Sequence, residues 1–151
     1  MDIHSILVIS GPAALIAIFV FGLLVLFPFI YYMLTLQSVL KEISPENRKM
    51  QPEQVWLSFI PIFGMIWQYY IVARLADSLK LELRKRNIWS DEKRPGYRVG
   101  LSFCRLLSSS IIPYFGLLTT IGGLVCWILY WLRINEYRSR LIENPLNYLH
   151  E

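Results

Sequence analysis

Residues 6–34 carry no charge, and Ser10 is their only conventionally polar side chain. A hydrocarbon core of about 30 Å is crossed by about 20 apolar helical residues, so this run is long enough to span a bilayer. The chain opens Met1-Asp2-Ile3-His4 and the run closes on Tyr31-Tyr32-Met33. A cleaved secretory signal has a basic start, a shorter apolar core and small residues at the cut, so the run reads as a span. Pro12 suits a first helical turn, Pro28 is expected to kink the helix, and Tyr31 and Tyr32 read as interfacial anchors.

The remaining sequence keeps this character. Of the 151 residues, 55% are hydrophobic and 15% aromatic, more than a soluble domain of this size carries. The expected fold class is all-α: one helical membrane domain with a long first transmembrane helix and two helical hairpins. The spans fall at about 6–40, 55–79, 99–112 and 117–141, with polar loops at 41–54 and 87–98. The net charge of +4 comes from cations flanking apolar segments, which is the bias of cytoplasmic membrane loops and speaks against nucleic acid. Cys104 and Cys126 lie inside apolar stretches and read as packing residues, while His4 and His150 stand at opposite ends. No metal or cofactor site is expected.

In the first polar loop, Ser44-Pro45-Glu46 and Pro52-Glu53 each have the form of a helix start. Beyond the second, Val72, Leu75, Ala76, Leu79 and Leu83 keep helical spacing while Arg74, Asp77, Lys80, Arg84 and Lys85 lie mostly off that stripe. This predicts an amphipathic stalk. The last segment continues in the same way through Ile134, Tyr137 and Leu141 to Pro145.

Two breaks share the pattern Ser-x-Ile-Pro-x-Phe-Gly: Ser58 to Pro61, Phe63 and Gly64, and Ser110 to Pro113, Phe115 and Gly116. One reading is a repeat of hairpins that turn at Pro-x-Phe-Gly; the other is coincidence in apolar sequence containing proline and glycine. Residues 99–112 and 117–131 would be about 21 and 22 Å long as helices, short for a full crossing, which favours shallow hairpins or a thinned bilayer.

Charge placement separates two topologies. The loops hold three cations in 41–54, eight in 74–98 and three in the tail. With residues 55–73 as a full span, an N-in, C-in protein keeps eleven of them inside and three outside. With those residues as a re-entrant hairpin, N-out and C-in puts all fourteen inside, and this arrangement is preferred. Its cost is irregular backbone at 61–64 within the membrane, where protein or water must satisfy the freed polar groups.

Arg105 is the one cation outside the loops, and a charge within an apolar segment marks a functional site by default. The competing reading is that it snorkels to the headgroups or pairs with Asp77, Glu82 or Glu136. Gly100, Cys104 and Ser108 form a small-residue stripe, with Gly116/Thr120 and Thr119/Gly123 as others, suited to close helix contact within the hairpin or between subunits. Ser108, Ser109 and Ser110 have no histidine or paired base in reach to make a nucleophile. The residues singled out are therefore Arg105, Asp77, Pro61, Phe63, Gly64, Pro113, Phe115 and Gly116, with none assigned to catalysis.

The pattern Asn47-Arg48-x-Met50-x-Pro52-x-x-Val55-Trp56-Leu57-x-x-Ile60-Pro61-x-Phe63, continued by Ser78, Leu79 and Glu82, resembles an uncharacterised family of small bacterial multi-pass membrane proteins. The resemblance implies a bacterial inner-membrane setting and brings no activity. The expected function is a non-enzymatic accessory, scaffold or assembly component. Its basic face would meet anionic lipid headgroups, with a homo-oligomer or a membrane-protein partner as further associations. The alternative is a small oligomeric channel or transporter lined by the Pro-x-Phe-Gly segments and Arg105.

Overall fold

The computed structural model describes residues 3–110 and 116–145, with side-chain surroundings from Pro12 onward. Among these residues the protein is all-helical: α1 (Ile3–Glu42), a 3-10 helix (Pro52–Phe59), α2 (Phe63–Lys85), α3 (Tyr97–Ser109) and α4 (Gly116–Glu143). The second Pro-x-Phe-Gly break, with Pro113 and Phe115, lies outside the described residues. Two helices are long and apolar enough to cross a membrane, α1 from Pro12 onward and α4.

The chain divides into two compact units, Met1–Leu34 and Thr35–Glu151. In the first, every residue from 12 to 27 is exposed, on all faces of α1. A helix that is apolar all round has no side to turn to water and needs an apolar surrounding. It runs unbroken through Pro12 and Pro28, although Pro28 removes one backbone donor from its interior.

The second unit has a core like that of a soluble helical domain. Leu36, Val39, Leu40 and Ile43 are buried with Ile71, Val72, Leu75, Ala76, Leu79 and Leu83 of α2 and with Tyr130, Ile134, Tyr137 and Leu141 of α4. The stripes expected on the stalk and on the last segment are thus the faces that pack, and their charged sides stay out. Two indoles tie this unit together: Trp56 Nε1 donates to Gln37 Oε1 at 3.3 Å, and Trp131 Nε1 to Thr35 Oγ1 at 3.1 Å.

Of the two expected helix starts only Pro52-Glu53 begins a helix. Residues 45–47 form a turn instead, with Asn47 and Arg48 N–H both donating to Ser44 O. The Ser44 hydroxyl donates to the Glu82 carboxylate, 38 residues away.

α3 and α4 run antiparallel. Gly96 faces Ile134, Gly100 faces Tyr130, and Gly123 faces Leu106 and Leu107. A methyl on Gly100 would sit 2.7 Å from Val72 Cγ1 and 2.8 Å from Tyr130 Cε2, so this glycine lets α2, α3 and α4 meet. Gly100 and Gly123 of the small-residue stripes make contacts within the chain, as does Ser108, whose Oγ shares a 3.0 Å hydrogen bond with Tyr69 Oη of α2, while Thr120 is exposed.

Candidate functional site

Three places gather the chemistry-bearing residues. The first is a junction around Glu82 and Arg86 at the C-terminal end of α2. The Glu82 side chain has no exposed surface; it accepts hydrogen bonds from Ser44 Oγ at 2.9 Å, Asn47 Nδ2 at 2.8 Å and Arg86 Nε at 2.8 Å. The remaining Arg86 donors reach the ends of two other helices. Nη2 donates to Glu42 O at 2.7 Å, and Nη1 to Leu141 O at 2.7 Å and Asn144 O at 3.0 Å.

Helix C-termini leave carbonyls unsatisfied and carry partial negative charge, so one guanidinium here closes α1 and α4 while its own charge is met by Glu82. Burial pushes the Glu82 carboxyl up, but the hydrogen bonds from Asn47, Arg86 and Ser44 outweigh it and hold the pKa below its ordinary value. Next to this junction, Lys49 N–H donates to Ser78 Oγ at 2.8 Å, and Met50, Pro52 and Val55 are buried. Residues 47–55 therefore lie along α2, tied to it at Ser78 and Glu82.

The second place is the turn from the 3-10 helix into α2. Phe63 N–H donates to Pro61 O at 2.7 Å across Ile62, whose φ of 65° and ψ of −55° make the rare, positive-φ form of the γ-turn. A β-branched residue there is strained. Gly64 is required next: a Cβ would lie 2.1 Å from Ser58 O. Trp67 Nε1 donates to Gln54 O at 2.7 Å, holding the 3-10 helix back along α2. The tip is apolar and open, with Ile62 82% and Ile66 69% exposed, Pro61 exposed, and Phe59, Ile60 and Phe63 beside them. In the second break the equivalent pair is also close, since a Cβ on Gly116 would lie 3.1 Å from Ser110 O.

The third place is the outer face of α3. Arg98, Ser102 and Arg105 are exposed at helical spacing. The two serines along this face turn inward to the backbone: Ser102 Oγ donates to Arg98 O at 3.0 Å and Ser109 Oγ to Arg105 O at 2.8 Å. None of the three acids considered as partners for Arg105 pairs with it. Asp77 pairs with Arg94 at 2.9 Å, Glu82 with Arg86 at 2.7 Å, and Glu136 with Arg140 at 2.6 Å and Arg133 at 3.6 Å. Among the described residues Arg105 has no ion-pair partner.

The structure thus brings Pro61, Phe63 and Gly64 into one turn, while Asp77 fixes the loop through Arg94, which also covers the Tyr97 ring at 3.9 Å. Arg105 and Gly116 stand apart from that turn's contacts. The Glu82–Arg86 junction was not among the residues singled out from sequence. Its one legible signal was Glu82 within the Asn47-to-Glu82 pattern. No group of three or more metal-ligating side chains occurs among the described residues. In comparisons with protein families, curated proteins and solved structures, nothing matches this chain.

Proposed function

We propose that the chain is a small integral protein of a bacterial inner membrane, N-terminus outside and C-terminus cytoplasmic, acting as a non-enzymatic accessory, scaffold or assembly component. The observation that carries the topology is the 2.7 Å hydrogen bond from Arg86 to Glu42 O. A full span between residues 55 and 73 would send the ends of α1 and α2 to opposite sides of the bilayer. Their direct contact supports a return, in which the 3-10 helix enters, turns at Ile62 and leaves as α2.

Lengths support the same reading. The eight-residue 3-10 helix rises about 16 Å. From Phe63 to Arg74, the first charge on α2, the rise is also about 16 Å, so each arm reaches about halfway into a hydrocarbon core. Irregular backbone at that depth needs its polar groups satisfied, and within the turn Phe63 N–H donates to Pro61 O, Gly64 N–H to Ile60 O and Met65 N–H to Ile62 O. The packed core of α1, α2 and α4 then stands as a headpiece on the cytoplasmic side with the cationic loops, a firm surface for anionic lipid or a partner.

Single cysteines at Gln51 and Ser90, with Cys104 and Cys126 replaced, test this. Both should label from the cytoplasmic side only, and labelling from opposite sides would reject the re-entrant arrangement. For the channel alternative, proteoliposomes should show no ion flux. A flux abolished by Arg105→Leu would replace the scaffold reading.

A further inference from the structure

We propose that the outer face of α3 is a binding stripe for the phosphate of an anionic phospholipid of the cytoplasmic leaflet, held by Arg98 and Arg105. The inference rests on the membrane reading above and adds a ligand and its contact residues. Its starting point is the level of Arg105. Because Leu106 packs against Gly122 and Gly123, Arg105 stands beside the middle of the uncharged stretch 116–132 of α4, whose Ile121, Leu124, Val125 and Ile128 are exposed apolar side chains. An exposed, unpaired guanidinium at that level is costly in hydrocarbon and must find an anion or water.

The stripe offers a route for the anion. Arg98 lies seven residues toward the cytoplasmic end of α3, about 10 Å along the axis, with Ser102 between. Both serine hydroxyls on this face spend their hydrogens on the backbone, so the two guanidiniums are the donors that remain. A guanidinium presents paired N–H groups to phosphate oxygens, which suits a phosphodiester better than a neutral headgroup. A second copy of the chain is a poor cover, because a two-fold contact would set like charges against each other. Drawing a headgroup down from Arg98 toward Arg105 would thin the leaflet locally, in keeping with the short 13-residue length of α3.

The full chain, reconstituted in neutral phosphatidylcholine nanodiscs containing a small fraction of phosphatidylglycerol, provides the test. Lipid retained after transfer to detergent is counted by native mass spectrometry. Phosphatidylglycerol should be enriched over phosphatidylcholine, and Arg98→Gln/Arg105→Gln should cut that enrichment at least about fivefold. Arg105→Lys, which keeps the charge but not the paired N–H groups, should keep only part of it, and a control pair in the cationic loops, Lys49→Gln/Lys93→Gln, should cost clearly less than the arginine pair. Equal loss in the control pair, retention in the arginine pair, or displacement by millimolar inorganic phosphate would each overturn the proposal. If the protein is extracted from membranes by alkaline carbonate, the membrane reading itself fails; loss of the proposal alone leaves it firmly inserted.

Discussion

Arg86, just past the end of α2, and Arg105, on α3, belong to one unit and live under opposite conditions. Arg86 is 8% exposed in its side chain, neutralised by Glu82, and spends its other donors on the carbonyl ends of α1 and α4. Arg105 is exposed, has no acidic partner among the described residues, and stands level with apolar side chains. A buried, fully satisfied arginine is a structural clamp: its contacts are all within the chain, and nothing is left to offer a ligand. An unsatisfied one in apolar surroundings is where an external group is called for. The arginine that holds this fold together and the arginine proposed to meet a ligand are therefore different.

The largest expected effect comes from breaking the clamp. Glu82→Ala leaves the Arg86 charge buried without its counter-ion, and removing one partner of such a pair costs about 3–5 kcal/mol. Thermal unfolding in detergent should show it as a large fall in midpoint, with the headpiece failing first. Acid should mimic the change. Because the Glu82 pKa is lowered in the folded protein, its contribution is complete above the unfolded value of 4.5 and is lost as pH falls through the lower folded value. Wild type should lose stability in that acid range, whereas Glu82→Gln, already without the carboxylate, should show a smaller change there.

Next in size is the close approach at the glycines. Gly100→Val adds bulk where one methyl already meets Val72 and Tyr130 at under 3 Å, and overpacking of this kind costs about 1–3 kcal/mol. Gly64→Ala should act more locally, by forcing Ser58 O away and opening the Ile62 turn. Protease accessibility or cysteine labelling at Gln54 should rise while the headpiece midpoint moves less. If Gly64→Ala instead lowers the midpoint as much as Glu82→Ala does, the turn and the headpiece are one cooperative unit.

What could be read from sequence follows the range of the interactions. The long apolar helix is legible from an uninterrupted apolar run, and the packing stripe from Val72 to Leu83 with Ile134, Tyr137 and Leu141 from residues three and four apart. The turn at Pro61, Phe63 and Gly64 was legible because proline and glycine act on their own backbone. Ser44 and Arg86 are placed by partners 38, 44 and 55 residues away, Glu82 for the first and Glu42 and Leu141 for the second, which no local pattern shows. Nothing local in Arg86 distinguishes it from Arg84 or Lys85. Only the meeting of three helix ends does. Likewise the apolar run was one feature to the eye, yet residues 12–27 are exposed throughout while Leu36, Val39 and Leu40 near its far end are core.

The smallest stability effect should fall on Arg105, and that is what gives the comparison its edge. Its side chain makes no ion pair among the described residues, so Arg105→Gln should leave the unfolding midpoint within about 0.5 kcal/mol of wild type, or raise it by removing an unpaired charge. A structural role would show itself as a loss comparable to the glycine variants. A cation that is costly in apolar surroundings and contributes little to folding is left free to meet a group outside the chain. The pairing of a neutral midpoint with a changed lipid count in the same Arg105→Gln preparation is therefore the outcome that separates a working cation from a clamp.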